Sequence, residues 1–142
     1  MTELVLERHL NAPIERVFAF VTQPENLTKW WGPEGMTVPE GDLDFTRLGS
    51  WDSVMMSGEG ARFKVSGEVT EVLIPKRVAF TWAWHDEDDK RGHESNVTLD
   101  LEASGDGTSF RLTHTNLSDD ESAKNHNMGW TSSLRKLEAM AN

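Results

Sequence analysis

The 142-residue sequence contains no cysteine, and it has no long hydrophobic run. Without cysteine there can be no disulfide, no thiolate metal site and no cysteine nucleophile. The apolar stretches are too short for a membrane-spanning helix. The first residues, Met1 to Leu4, lack the basic segment and apolar stretch of a signal peptide. These absences favour a cytoplasmic protein with no membrane partner.

Positive charge is also scarce, with 14 basic residues against 24 acidic ones and a net charge of −10. Such a chain would repel phosphate backbones, so a nucleic-acid partner is not expected. No repeat, low-complexity segment or linker divides the sequence, and we predict a single domain over residues 1–142. A chain of this length buries roughly 70% of its unfolded surface, which is enough for a core and a modest internal cavity.

Aromatic content is unusual, because the chain has six tryptophans and no tyrosine. Tryptophan carries a large hydrophobic surface and can either fill a core or form the wall of a ligand pocket. Both interpretations stay open for each of these residues, which are Trp30, Trp31, Trp51, Trp82, Trp84 and Trp130.

The first part of the chain reads as a strand followed by two short helices. Apolar residues alternate from Leu4 to Leu10, which predicts a strand. A helix is expected to start with Asn11 as its cap and Pro13 at its first helical position. Pro24 ends this helix or opens a second one, which Gly32-Pro33 stops.

About six strands are predicted between residues 36 and 114. The first two are expected from Met36 to Phe45 and from Trp51 to Met56. A final long helix follows the sequence Ser118-Asp119-Asp120-Glu121, in which Ser118 and Glu121 are predicted to form a capping box. Its narrow apolar stripe consists of Ala123, Asn127, Trp130, Leu134, Leu137 and Ala141.

This element order predicts an α+β fold, because long runs of sequential strands form antiparallel sheets. We expect a curved antiparallel sheet of about six to seven strands around the long C-terminal helix, with two short helices after the first strand. The final helix is the only long element available to cover one sheet face. A strongly curved sheet that grips this helix leaves space between the two.

Several short motifs, in this order along the whole chain, resemble the START-like, helix-grip superfamily. Within it they resemble the bacterial family similar to the C-terminal domain of the activator of the ninety-kilodalton heat-shock protein ATPase. The motifs are Ala12-Pro13, Val17-Phe18, Pro24-Glu25, Trp30-Trp31-Gly32-Pro33, Gly67-Glu68-Val69, Pro75-Lys76-Arg77-Val78, Phe80-Thr81-Trp82, Thr108, Leu112-Thr113-His114, His126, Gly129-Trp130 and Leu134.

The resemblance implies a helix-grip fold with a cavity, in a family mostly of unassigned function. Its relatives include lipid carriers, polyketide cyclases and aromatases, and a co-chaperone domain. Co-chaperones of this type carry a further N-terminal domain, for which we expect no room in this sequence.

The predicted ligand-binding residues are the inward-facing side chains of the strands and of the last helix. They are Trp30, Trp31, Met55, Phe63, Phe80, Trp82, Leu99, Leu112, His114, His126, Trp130 and Leu134. The same side chains make up the predicted core, and the sequence does not separate a pocket wall from a solid core.

Two histidines are the candidates for chemistry. His114 alternates with apolar residues and should point inward, and His126 lies four residues before Trp130 near the covered helix face. The pair could orient a polar group of a ligand or move a proton, or it could be a structural hydrogen-bonded pair. Gly129 is most simply explained by close packing of the helix on the sheet. Of the carboxylates, only Glu68 or Glu94 could turn inward, through a strand bulge.

Other reaction classes have no motif here. There is no glycine-flanked serine elbow, phosphate loop or dinucleotide fingerprint, and we predict no cofactor. No helical two-histidine motif is present, and His85, Asp86, Glu87 and His93 read as a solvated hairpin, so no metal is predicted.

Three functions remain open at this point. The leading one is a binding protein for an apolar or aromatic small molecule with an internal cavity. The second is a cyclase, aromatase or hydrolase that uses His114 and His126. The third is a chaperone-assisting or stress-response interaction module, and a homodimer is compatible with any of the three.

Overall fold

The computed structural model describes residues 2–141, so Met1 and Asn142 of the predicted 1–142 domain lie outside the described residues. Seven strands and three helices occur in this range. In chain order they are β1 (Thr2–Leu10), α1 (Ile14–Thr22), α2 (Pro24–Trp30), β2 (Thr37–Glu40), β3 (Gly49–Met56), β4 (Arg62–Leu73), β5 (Arg77–Trp84), β6 (Ser95–Ser104), β7 (Gly107–Leu117) and α3 (Asp120–Ala141).

All seven strands form one antiparallel sheet in the order β1-β7-β6-β5-β4-β3-β2. Strands β2 to β7 follow one another as neighbours, and β1 joins the far edge by pairing with β7. The curved sheet holds α3 against β1 and β7, while α2 also contacts α3. The predicted α+β helix-grip architecture is therefore confirmed.

Strand alternation places the core between the sheet and α3. In β5, Val78, Phe80 and Trp82 are buried. In β7, Phe110, Leu112 and His114 are buried while the side chains between them are more exposed. This period of two puts one face of each strand in the core and the other toward solvent.

Trp31, which follows α2, lies at the centre of an aromatic cluster. Its ring centroid is 5.6 Å from that of Phe45 and 5.7 Å from that of Trp51. It is also 5.6 Å from Trp82 and 5.8 Å from Trp130. These edge-on and tilted contacts join the two short helices, the sheet and α3. The rings interlock, so this part of the space between sheet and helix is filled.

The start of α1 differs from the prediction by one residue. Pro13 is the N-cap and not the first helical residue, and the helix begins at Ile14. The Pro13 carbonyl accepts hydrogen bonds from the backbone N–H groups of Arg16 and Val17, both at 3.0 Å. The prediction of Asn11 as the cap was therefore wrong, because the extended backbone of Pro13 lies between Asn11 and the helix.

The capping prediction for the last helix was wrong by one residue as well. α3 begins at Asp120, and its cap is Asp119, whose Oδ1 accepts from the backbone N–H of Ser122 at 2.7 Å. The predicted pair of Ser118 and Glu121 does not form this cap. Aspartate caps helices as well as serine does, so the sequence offered two equivalent starting points.

The predicted strand from Met36 to Phe45 is shorter in the structure and ends at Glu40. Gly41 has φ +136°, and a side chain there would meet the backbone oxygen of Asp52 at 2.5 Å. The chain then leaves the sheet edge, and the N–H of Phe45 donates to the carbonyl of Thr22 at 2.9 Å. Phe45 is still fully buried, so its apolar character reflects the core and not a strand.

Candidate functional site

An open cavity of about 660 Å³ lies between the N-terminal half of α3, the segment after α2 and the inner faces of β3, β4 and β5. Its wall is mostly aromatic, thioether and small side chains, with polar groups along α3. The lining residues are Trp31, Gly32, Pro33, Met36, Met55, Phe63, Trp82, Trp84, Ser118, Asp119, Glu121, Ser122, Asn125, His126, Gly129, Trp130 and Ser133.

Half of the predicted ligand-binding residues line this cavity. These are Trp31, Met55, Phe63, Trp82, His126 and Trp130. The other half are buried in the core and are absent from the wall; they are Trp30, Phe80, Leu99, Leu112, His114 and Leu134. Alternation identified the inward face of each strand, but it carries no information on how far along the sheet the cavity extends.

Apart from His126 and Trp130, the residues of the cavity wall on and just before α3 were missed by the sequence analysis. Ser122, Asn125, Gly129 and Ser133 recur at spacings of three and four residues, which places them on one helix face, and Ser118 precedes the helix. The apolar stripe of α3 predicted only the neighbouring helix face, which packs in the core. A second, small and polar stripe at helical period was the signal that could have located the cavity.

Hydrogen bonds tie the segment after α2 to α3, which fixes one rim of the cavity. The Ser132 hydroxyl accepts from the backbone N–H of Glu34 at 2.7 Å. The Glu34 carboxylate accepts from Arg135 Nη1 at 2.7 Å. Lys136 Nζ reaches the carbonyls of Trp31 and Pro33, both at 3.5 Å.

His114 is fully buried beneath the cavity, and both of its ring nitrogens are bonded. Nδ1 accepts from the indole N–H of Trp130 at 3.1 Å. Nε2 lies 2.7 Å from the Ser95 hydroxyl, which itself donates to the Trp82 carbonyl at 3.2 Å. Because indole only donates, Nδ1 must be the acceptor, so Nε2 carries the proton. Burial, and to a lesser extent the charge of His126, lowers the pKa of His114 to about 3.

His126 is held in the opposite tautomer. Its Nε2 accepts from the indole N–H of Trp84 at 3.0 Å, and its Nδ1 donates to the Ser122 carbonyl at 2.7 Å. Burial lowers the pKa of His126, although the bond to Ser122 opposes that shift. The two imidazole centroids are 4.9 Å apart, and both rings are neutral at pH 7.

Trp82 has an unsatisfied donor. Its indole Nε1 is the one buried side-chain nitrogen or oxygen in residues 2–141 that has no hydrogen-bond partner. Trp82 lines the cavity and is 5% exposed. A buried donor without a partner costs about 1–3 kcal/mol, so an acceptor supplied from the cavity would be favourable there.

Gly129 is not required by close packing, contrary to the prediction. A Cβ at this position would meet only Pro33 Cγ, at 3.8 Å, which is an ordinary van der Waals contact. A helix-interior glycine costs about 1 kcal/mol relative to alanine. The room that Gly129 leaves belongs to the cavity wall.

The remaining candidates lie elsewhere. Glu68 and Glu94 are exposed and do not turn inward, so that prediction was wrong.

Among residues 2–141 no group of three histidine, aspartate or glutamate side chains is placed to hold a metal ion. No helix within this range is long and apolar enough to cross a membrane.

Comparison with known proteins gives a family and several solved structures. The family model described as "Activator of Hsp90 ATPase homolog 1-like protein" matches residues 11–142. No curated protein matches the chain. A crystal structure of an AHSA1 protein from Silicibacter pomeroyi is 52% identical, with a TM-score of 0.95, and the match covers 98% of this chain and 96% of that one.

More distant structures share the fold. A protein from Chromobacterium violaceum is 23% identical with a TM-score of 0.85, over 99% of this chain and 98% of that one. A protein from Mycobacterium smegmatis is 22% identical with a TM-score of 0.81, over 99% and 90%.

Proposed function

Because the chain belongs to the family of Activator of Hsp90 ATPase homolog 1-like proteins, we propose that it uses its helix-grip fold to bind an apolar or aromatic small molecule. The binding site is the cavity beneath the N-terminal half of α3. The observation that carries this proposal is the wall itself, which combines a volume of about 660 Å³ with aromatic and methionine side chains. Ligand pockets typically enclose about 300–1,000 Å³ and are mostly apolar with few polar groups.

Two local features support a ligand of this kind. Gly129 has no side chain at a helix position where a Cβ would not clash with any protein atom, so it leaves free space in the wall. Trp82 offers an unpaired indole N–H in the wall, which suits a ligand with a carbonyl or ether oxygen. Both features weaken the free protein slightly, and a bound molecule would offset that cost.

The histidine pair gives little support to the enzyme alternative. A general base needs a ring nitrogen that is free to accept a proton. The acceptor nitrogens of His114 and His126 are occupied by the indole N–H groups of Trp130 and Trp84. The pair is better suited to fixing the tryptophan rings of the wall. The chaperone-assisting role and its partner stay a prediction.

The test is a titration followed by tryptophan fluorescence. The neutral probe N-phenyl-naphthylamine should bind saturably and quench the tryptophan emission, because Trp31, Trp82, Trp84 and Trp130 surround the cavity. Gly129→Leu, which fills the cavity from the helix side, should weaken binding at least about tenfold, equivalent to 1.4 kcal/mol.

Ala139→Leu is the matched control, since it adds similar bulk on the exposed face of the same helix. It should leave the affinity of the probe unchanged. Equal binding by Gly129→Leu and the original protein, or no saturable binding of any neutral apolar probe, would overturn the proposal.

A further inference from the structure

A second constellation of side chains lies on the outer face of the sheet, away from the cavity. Ser66 stands between the buried residues Val65 and Gly67 in β4, so its side chain points to the opposite face. Its Oγ is 2.6 Å from His85 Nε2. The other ring nitrogen, His85 Nδ1, is 2.8 Å from Asp89 Oδ1. A hydroxyl, an imidazole and a carboxylate are thus joined in the order that activates a serine nucleophile.

The charges in this group fix the direction of its hydrogen bonds. Asp89 is ionised, because the contact with His85 and then the contact with Lys64 lower the pKa of its carboxyl. It therefore accepts from Nδ1–H of His85, which leaves Nε2 to accept from the Ser66 hydroxyl. Arg91 Nε donates to the Ser66 oxygen at 3.0 Å. A guanidinium in that position favours negative charge on the oxygen that attacks.

The loop that carries the carboxylate is built to hold it in place. Asp89 has φ +62°, a left-handed conformation that a non-glycine residue adopts at some cost. Asp86 stabilises the turn, since its Oδ1 accepts from the backbone N–H groups of Asp88 at 2.8 Å and Lys90 at 3.0 Å. Arg91 also anchors the loop to β4 through the Ser66 carbonyl at 3.1 Å.

Space for a substrate exists beside these groups. A shallow groove of about 340 Å³ is lined by Asp42, Ser50, Trp51, Asp52, Lys64, Ser66, Gly67, Glu68, His85 and Arg91. The Ser66 side chain is half-buried, and the groove reaches it from the solvent side. Its three carboxylates, Asp42, Asp52 and Glu68, outnumber the two cations Lys64 and Arg91, so the groove is net negative and suits a neutral or cationic molecule better than an anion.

From this geometry we infer that the outer groove is a hydrolytic site for small neutral or cationic esters, with Ser66 as nucleophile and His85 as general base. The Ser66 oxygen attacks the ester carbonyl carbon while its proton moves to Nε2 of His85. The bond between that carbon and the alkoxy oxygen breaks, and His85 returns the proton to the leaving alcohol. Water, activated by His85, then releases the acid and regenerates Ser66. Asp89 acts as a positioning residue that holds the imidazole.

The test uses p-nitrophenyl acetate and the intact protein. We expect a burst of p-nitrophenolate and a mass increase of one acetyl group, located on Ser66 by peptide mapping. Ser66→Ala should abolish both. Ser104→Ala is the control, because Ser104 is exposed at the end of β6 and touches none of these groups.

Asp89→Asn tests the positioning role without removing the turn, since asparagine also tolerates a left-handed backbone. It should lower the acylation rate at least about tenfold, because it no longer selects the correct imidazole tautomer. Circular dichroism should show the original fold in every variant. Acetyl groups found on lysine or other histidines instead of Ser66, or equal rates in the original protein and Ser66→Ala, would overturn the inference. Failure of N-phenyl-naphthylamine to bind in the cavity would not bear on the hydrolytic site, because the two sites lie on opposite faces of the sheet.

Discussion

At the scale of single residues, a buried neutral histidine makes stability depend on pH. His114 can take a second proton only at Nδ1, where the Trp130 indole already donates. In the folded state His114 is therefore protonated only when the pH nears its lowered pKa of about 3, whereas in the unfolded chain it is protonated near its ordinary pKa of 6.5. Stability is complete above about pH 6.5 and is lost as the pH falls from there toward 3.

Replacing His114 should flatten this pH dependence. In the original protein, the free energy of unfolding should fall by up to about 1.4 kcal/mol per pH unit for each such group below pH 6.5. His114→Gln should be less stable at neutral pH, because it loses the hydrogen bond from Trp130. Its free energy of unfolding should, however, fall less steeply as the pH is lowered. Urea unfolding between about pH 7.5 and about pH 5 measures this difference. Ser109→Ala, which changes no titratable group at an exposed position of β7, is the control and should keep the original slope; equal slopes in both variants would contradict the assignment.

The inward direction of His114 followed from alternation in its strand, but its partners did not. Ser95 is 19 residues away and Trp130 is 16 away, on different elements. Only the pairing of β6 with β7 and the docking of α3 bring the three together. The grouping of Ser66, His85 and Asp89 could not be predicted from the sequence either, because a hydroxyl, imidazole and carboxylate of this kind are recognised by their geometry and not by a sequence motif.

At the scale of elements, the cap of α3 links helix stability to the cavity. Asp119 satisfies the backbone N–H of Ser122, and both residues line the cavity wall. Loss of an N-cap costs about 0.5–2 kcal/mol and frays the first turn of the helix. A frayed first turn would remove the Ser122 carbonyl that orients His126.

We therefore expect Asp119→Ala to lower stability by about 1 kcal/mol and to weaken binding of N-phenyl-naphthylamine. Asp119→Asn is the matched control, because asparagine keeps a side-chain oxygen that can cap the helix. Urea unfolding and the fluorescence titration report the two effects separately. A stable Asp119→Ala variant with unchanged affinity would mean that the cap does not support the wall.

Element type was predictable from the sequence, whereas element boundaries were not. Alternation identified β5 and β7 because one face of each strand is buried. The first residue of α1 moved from Pro13 to Ile14, and the cap of α3 moved from Ser118 to the adjacent Asp119, which has a similar capping tendency. The strand after Met36 was overestimated because the burial of Phe45 resembles strand alternation, while Gly41 turns the backbone away.

At the scale of the whole molecule, the core and the cavity share one wall of aromatic rings. Trp31 contacts both the interlocked cluster and the open space, as do Trp82 and Trp130. Hydrophobicity alone does not separate these environments, because burial against protein and burial against a ligand favour the same side chains. The boundary between the filled core and the open cavity lies where α3 presents small and polar residues to the sheet. Its place therefore depends on how that helix packs on the sheet.

Net charge adds selectivity to this shape. The chain carries −10 overall, and the described residues of the cavity wall include Asp119 and Glu121 but no lysine or arginine. A ligand with a carboxylate would meet repulsion from these groups and from the wider field of the protein. The cavity should therefore favour neutral over anionic molecules of the same shape.

Naphthaleneacetamide and naphthaleneacetate form a pair that tests this selectivity, since they differ little except in charge. The amide should bind several-fold more tightly at low salt, and the ratio of affinities should shrink as salt screens the charges over about 10 Å at 0.1 M. Glu121→Gln should narrow the ratio, because it removes a carboxylate from the wall. Glu102→Gln changes the net charge equally but lies outside the wall, at an exposed position of β6, and should narrow it much less. Tighter binding of the acetate at low salt would show that a cation, and not the acidic rim, controls entry to the cavity.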